Sequence, residues 1–132
     1  MKVLVLGSGA REHAITLSFS KSRSITGLFV APGNAGTDEI AENLSDIDPC
    51  DSKMVIDACS KHNIDFVFVG PEAPLSLGIV DDLKKAGIHA IGPHKAAAML
   101  ESSKAFSKDF MIRNSIPTAE AVEVSSDRKS VV

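Results

Sequence analysis

The chain contains no tryptophan and no tyrosine, and its aromatic content rests on six phenylalanines. Base-stacking platforms and aromatic cages are therefore poorly supplied. Its two cysteines, Cys50 and Cys59, are too few for a disulfide framework and have neither metal-ligand nor Cys-x-x-Cys spacing. Both read as reduced thiols, with Cys59 on a buried helix face. Long apolar runs are also missing: residues 3–6 and 66–69 are the clearest, far below the roughly 20 residues of a membrane-spanning helix. The amino terminus has a strand pattern, not a charged-then-apolar signal. A formal net charge of -3 provides no positive field for a phosphate backbone or an anionic membrane. The expectation is a cytoplasmic protein with no nucleic-acid or membrane partner. What is present, 44% hydrophobic and 23% charged residues in 132, suits one compact domain that buries about two-thirds of its unfolded surface.

Strands and helices alternate. Residues 2–6 are β-formers that break at Gly7-Ser8-Gly9, and residues 10–22 carry helix-spaced apolar side chains. A second strand over 27–31 stops at Pro32-Gly33, and the loop continues through Thr37. Residues 38–43 predict one helical turn and 44–47 a weak third strand. Asp51 or Ser52 caps a helix through His62, with Met54, Val55, Ala58 and Cys59 on one face. The strand 65–69 is fully apolar over 66–69, as a covered parallel strand would be. Residues 76–86 read as one helix with Leu77, Val80 and Leu83 inward, and Gly87 as its left-handed cap before a strand over 88–91. Helices follow at 95–100 and 103–113, Pro117 stops the pattern, and 121–124 predicts a last strand. The polar end shows no stop signal, so the chain is expected to continue. The alternation gives an α/β fold with a parallel sheet and right-handed crossovers.

Ligands of such sheets bind beyond the carboxyl ends of the strands, where this chain has glycine and proline loops. Gly7, Ser8 and Gly9 open a helix whose free N–H groups and dipole favour an anion, and Arg11 nearby can grip a phosphate in two parallel hydrogen bonds. The plain alternative is a tight turn with a solvated arginine. A dinucleotide fingerprint needs a third glycine and an acid after the second strand. Glu12 stands in the first place and Ala31-Pro32-Gly33 in the second, so a mononucleotide or sugar phosphate fits better. Glu72, between Pro71 and Pro74, is suited to accept hydrogen bonds from vicinal ribose hydroxyls, or else is a helix-entry charge. Asn34 and Thr37 offer polar contacts or form a turn. His62, His89 and His94 read as surface residues. No set of residues has metal-ligand spacing, and no nucleophile adjoins a base. On residue chemistry this is a binding domain for a phosphorylated small molecule.

Four segments in order then carry a resemblance: Gly7-Ser8-Gly9-Ala10-Arg11-Glu12-His13-Ala14, Ala31-Pro32-Gly33-Asn34-Ala35-Gly36-Thr37, Val69-Gly70-Pro71-Glu72-Ala73-Pro74-Leu75 and Ser103-Lys104-Ala105-Phe106-Ser107-Lys108-Asp109-Phe110. Over nearly the whole chain to about Thr118, they resemble the amino-terminal region of the phosphoribosylamine-glycine ligase family, the glycinamide ribonucleotide synthetases. The resemblance implies a Rossmann-like three-layer parallel sheet over residues 1–102, preceding an ATP-grasp fold whose linker and first helix begin at 103–132. It implies purine synthesis in which glycine is joined to 5-phosphoribosylamine with ATP and Mg²⁺ or Mn²⁺, through a glycyl phosphate. The glycine turn and Arg11 would face the 5-phosphate, Glu72 the ribose hydroxyls, and Lys104 the nucleotide phosphates. Two positions depart from the family pattern: Ala10 stands for the second of two adjacent glycines, and Ser102 for a glycine before Ser103-Lys104. The family's metal-binding carboxylates, glycine site and most of its nucleotide pocket have no counterpart by Val132, so no catalytic residue is expected here and these residues alone are expected to be inactive. A free-standing, non-catalytic nucleotide or sugar-phosphate module is the alternative, and a truncated product without its own role a third reading.

Overall fold

The computed structural model of the chain describes residues 1–120. In order it forms β1 (Lys2–Gly7), α1 (Ala10–Ser20), β2 (Gly27–Pro32), α2 (Ala35–Asp38), β3 (Glu42–Asn43), α3 (Ser52–His62), β4 (Phe66–Val69), α4 (Glu72–Leu77), α5 (Ile79–Lys85), β5 (His89–Ile91), α6 (Lys95–Ser102) and α7 (Lys104–Arg113). The strands form one parallel sheet in the order β3-β2-β1-β4-β5. Side chains of a strand point alternately to its two faces, so the central β1 feeds two cores. Leu4 and Leu6 pack with Phe29, Ala31, Val67 and Val69 against Val55 and Cys59 of α3 and Ile79 and Leu83 of α5. Val3 and Val5 pack with Val30 on the other face, against Ile15 and Phe19 of α1. The Phe19 ring meets Phe68 edge-on, 6.0 Å between centroids. Helices thus cover both faces of the sheet in three layers, the Rossmann-like α/β arrangement.

Several ends follow local chemistry. Asp51, not Ser52, caps α3, its Oδ1 accepting the amides of Lys53 and Met54 at 2.9 and 3.0 Å. Gly87, at φ +76°, ends α5 as expected; its N–H donates to Lys84 O, and the Ile88 N–H to Leu83 O. Cys59 is buried on α3, and burial pushes its thiol up to about 11. Among the histidines, His89 and His94 are exposed, but His62 is half-buried with its ring edge-on to Phe29.

Three expectations need correction. The turn over 38–43 is instead α2, four residues starting at Ala35, because Asn34 caps it by accepting the amides of Gly36 and Thr37. The third strand is Glu42–Asn43, not 44–47. Leu44 N–H still bonds Val30 O at 2.7 Å. The next rung of a parallel ladder would need the N–H of residue 32, which is proline and has none. The helix over 76–86 is two helices. Pro74 sits in the first turn of α4, where a missing N–H costs nothing, so that helix starts at Glu72. Gly78 then takes a left-handed conformation at φ +101° and restarts the chain as α5, leaving Leu77 59% exposed while Val80 and Leu83 stay buried. The strand expected over 121–124 lies outside the described residues.

Asp81 of α5 holds the start of α6. Its Oδ2 accepts the Lys95 N–H at 2.8 Å, and its Oδ1 lies 2.8 Å from His94 Nδ1. The Lys95 amide first, then His94, holds the Asp81 carboxyl below its ordinary value. A depressed carboxyl stabilises the fold above its unfolded pKa of about 3.9, and that stabilisation is lost as pH falls through the folded value. Asp81→Asn should therefore lower Tm at neutral pH and flatten its decline below about pH 4; an unchanged acid limb in calorimetry would exclude this linkage. Leu83→Ala should cost about 2–5 kcal/mol in urea unfolding and Leu77→Ala under about 0.5 kcal/mol, which separates the broken helix from a continuous one.

Candidate functional site

The chain leaves β1 toward β2 on one side and returns to β4 on the other, so the loops after β1 and β4 part at the head of the sheet. This reversal of strand order is where open parallel sheets bind ligands. A cleft of about 400 Å³ lies there, lined by Gly9, Ala10, Arg11, Glu12, Pro71, Glu72 and Ala73. Another, of about 390 Å³, lies between residues 43–47 and α3, on Met54, Asp57, Ala58, Lys61 and His62. Volume does not separate them. The first lies at the strand reversal and has the amino terminus of an eleven-residue helix in its lining, so it is the candidate site.

The floor of that cleft is built by Glu12. It is 5% exposed, although it lies one residue from exposed Arg11. Its Oε2 accepts the Gly9 N–H at 2.8 Å, an acidic residue in the first turn reaching back to the helix start. Its side chain fills the space that a Cβ on Gly7, Gly9 or Gly70 would need. Gly7 also lies at φ +124°, which side-chain-bearing residues rarely adopt. One turn later, Thr16 Oγ1 donates to the Glu12 backbone carbonyl at 2.7 Å, which satisfies the buried hydroxyl within α1. Arg11 crosses the cleft: its Nη1 donates to Gly70 O at 2.7 Å, tying α1 to the end of β4.

The expected site residues divide into three groups. Gly9, Arg11 and Glu72 come together on the cleft, with Glu72 exposed in the first turn of α4. Gly7 is buried against Glu12, and neither it nor exposed Ser8 nor half-buried Asn34 lines the cleft. Asn34 Nδ2 donates to Ser8 O at 2.8 Å, and Asn34 Oδ1 is occupied by the α2 cap. Both ends of the amide are therefore used within the protein, which makes Asn34 a loop-former. Buried Thr37 and half-buried Asn43 complete its support: Thr37 Oγ1 donates to Asn43 Oδ1, and Asn43 Nδ2 to Asn34 O, both at 2.8 Å. Lys104 is exposed at the start of α7 and does not line the cleft. Sequence reasoning treated Glu12 only as a missing glycine. The acid three residues after the helix-starting Gly9 was the signal that it folds back.

Gly70→Ala should destabilise by about 1–3 kcal/mol through collision with Glu12, and by much less in a Glu12→Ala background. A double-mutant cycle in urea checks this, and additive costs would exclude the contact.

Comparison with known proteins extends these observations. Residues 1–101 match the family model for the phosphoribosylglycinamide synthetase N domain. A phosphoribosylamine–glycine ligase of Neisseria meningitidis serogroup B is 51% identical over 120 residues, 91% of this chain and 28% of that protein. The chain thus spans about 28% of the length of that relative. The crystal structure of the phosphoribosylamine–glycine ligase of Thermotoga maritima superposes with a TM-score of 0.64 at 28% identity, covering 91% of this chain and 26% of that one. The biotin carboxylase subunit of pyruvate carboxylase, at 22% identity over 95% of this chain and 30% of its own, shares the fold with a TM-score of 0.68. With a family model matched over 101 of its residues, the chain belongs to the phosphoribosylglycinamide synthetase N-domain family.

Proposed function

We propose that this chain is the substrate-holding amino-terminal part of a ligase that joins glycine to 5-phosphoribosylamine at the expense of ATP in purine biosynthesis. Residues 1–102 form the sugar-phosphate domain and 103–132 begin the linker and the ATP-grasp portion. The observation that carries the reading is the cleft at the strand reversal, where Arg11 and the first turn of α1 share a lining with Glu72. Arg11, released from Gly70 O, pairs with the 5-phosphate while the amides of the first turn donate to it. Glu72 accepts hydrogen bonds from the ribose hydroxyls, and Gly7 keeps the backbone close beneath them. Ser8 and Asn34 hold the loop that borders the pocket.

In this reading ATP supplies the activation of the glycine carboxylate, and Lys104 meets the nucleotide phosphates. Lys104 is solvent-facing and forms no ion pair among the described residues, which suits that role. Mg²⁺ or Mn²⁺ is a different matter. Among the described residues no three His, Cys, Asp or Glu side chains gather to hold a metal ion, so they do not fit that group. In this reading the described residues supply binding and orientation. No helix among the described residues is long and apolar enough to cross a membrane. A cytoplasmic setting, in which Cys50 and Cys59 stay reduced, belongs to the same proposal.

Titrating the 132-residue chain with glycinamide ribonucleotide at millimolar concentration should shift the amide NMR signals of Gly9, Arg11 and Glu72. Arg11→Ala should weaken that binding about tenfold or more, the scale of one charge-assisted bidentate contact. Binding that is indifferent to Arg11, or shifts confined to the groove beside α3, would refute the assignment.

A further inference from the structure

We propose that Glu12 determines specificity at this cleft: its carboxylate confines the glycine-turn end to a single phosphoryl group and rejects pyrophosphate-bearing dinucleotides. The proposal rests on the sugar-phosphate reading of the cleft and deepens it. In dinucleotide-binding sheets a third glycine at this place lets helix and strand pack closely while the pyrophosphate lies on the helix start. Here the place is filled by a side chain folded under the turn, against Gly7, Gly9 and Gly70.

Two consequences follow for an anion. Oε2 takes the Gly9 N–H, removing one donor from the helix start. The same carboxylate sets a fixed negative charge against the positive end of α1. Oε1 has no hydrogen bond among the described residues, where every side-chain polar atom sealed from solvent has a partner. Oε1 lies against Gly70, at the cleft that Glu12 lines. Among the described residues, the charged side chains lining that cleft are one cation, Arg11, and two carboxylates, Glu12 and Glu72. One phosphoryl group can pair with Arg11. A second would find no cation left and face both carboxylates.

The test titrates ribose 5-phosphate and ADP-ribose into the 132-residue chain and its Glu12→Gln variant, followed by the amide signals of Gly9 and Arg11. Glutamine keeps the volume and an oxygen for the Gly9 N–H while losing the charge. The wild type should prefer ribose 5-phosphate by about tenfold or more, and the variant should gain about tenfold for ADP-ribose with a smaller gain for ribose 5-phosphate. Equal wild-type affinities overturn the proposal, as does a folded variant with the wild-type ratio. Should the variant not fold, the salt dependence of the wild-type ratio decides. A preference that shrinks as salt rises supports charge exclusion, and one indifferent to salt overturns it. If the wild type binds neither probe while the variant gains ADP-ribose, the role of Glu12 stands and the sugar-phosphate reading falls. If neither protein binds either probe, both fall.

Discussion

One buried carboxylate organises the head of this sheet. Glu12 bonds the Gly9 amide and packs against Gly7 and Gly70, so the end of β1, the start of α1 and the end of β4 close around the same side chain. Burying a carboxylate is costly unless it is hydrogen-bonded, and the Gly9 N–H supplies such a bond at Oε2. The glycines around it acquire a second meaning. A glycine turn at a strand end is usually read as room for a ligand's phosphate, but at Gly7 and Gly70 the room is already taken by Glu12.

Arg11 and Glu12 are adjacent in the chain and divide the work. Consecutive helical residues point about 100° apart, so one turns into the sheet and the other across the cleft. Arg11 bonds Gly70 O while Glu12 packs against the Gly70 Cα, so both residues hold Gly70. A bound phosphate would have to compete with a backbone carbonyl for the same guanidinium. On the neighbouring flank, Thr37 and Asn43 hold Asn34, and Asn34 holds the Ser8 carbonyl. The loop that leads into Gly9 is thus held by hydrogen bonds within the chain.

Much of the fold was legible because parallel strands covered on both faces must be apolar throughout. Residues 3–6 and 66–69 announce themselves in this way, and the glycine after each marks where a loop must begin. The broken helix was not legible, since Val80 and Leu83 keep helical spacing whether or not Gly78 interrupts the chain before them. Nor was β3, whose two residues are polar and whose length is limited by Pro32 on the strand beside it. Of the site, Arg11 and Glu72 were legible as charges just beyond strand ends. Asn34 was legible as a polar loop residue, but its choice of partners was not.

By itself the sequence determined the order of strands and helices, the glycine turn, and the charged residues set beyond the strands. These follow from local propensity and from the need to bury apolar runs, and they reach only a few residues along the chain. The family likeness carried by four separated segments was also legible there. Only the tertiary structure decided that Glu12 turns inward, that Asn34 is spent on a cap and on Ser8, and that Arg11 meets Gly70, 59 residues away. Those outcomes depend on which strand lies beside β1, and strand order is settled by long-range packing of the two cores against the sheet.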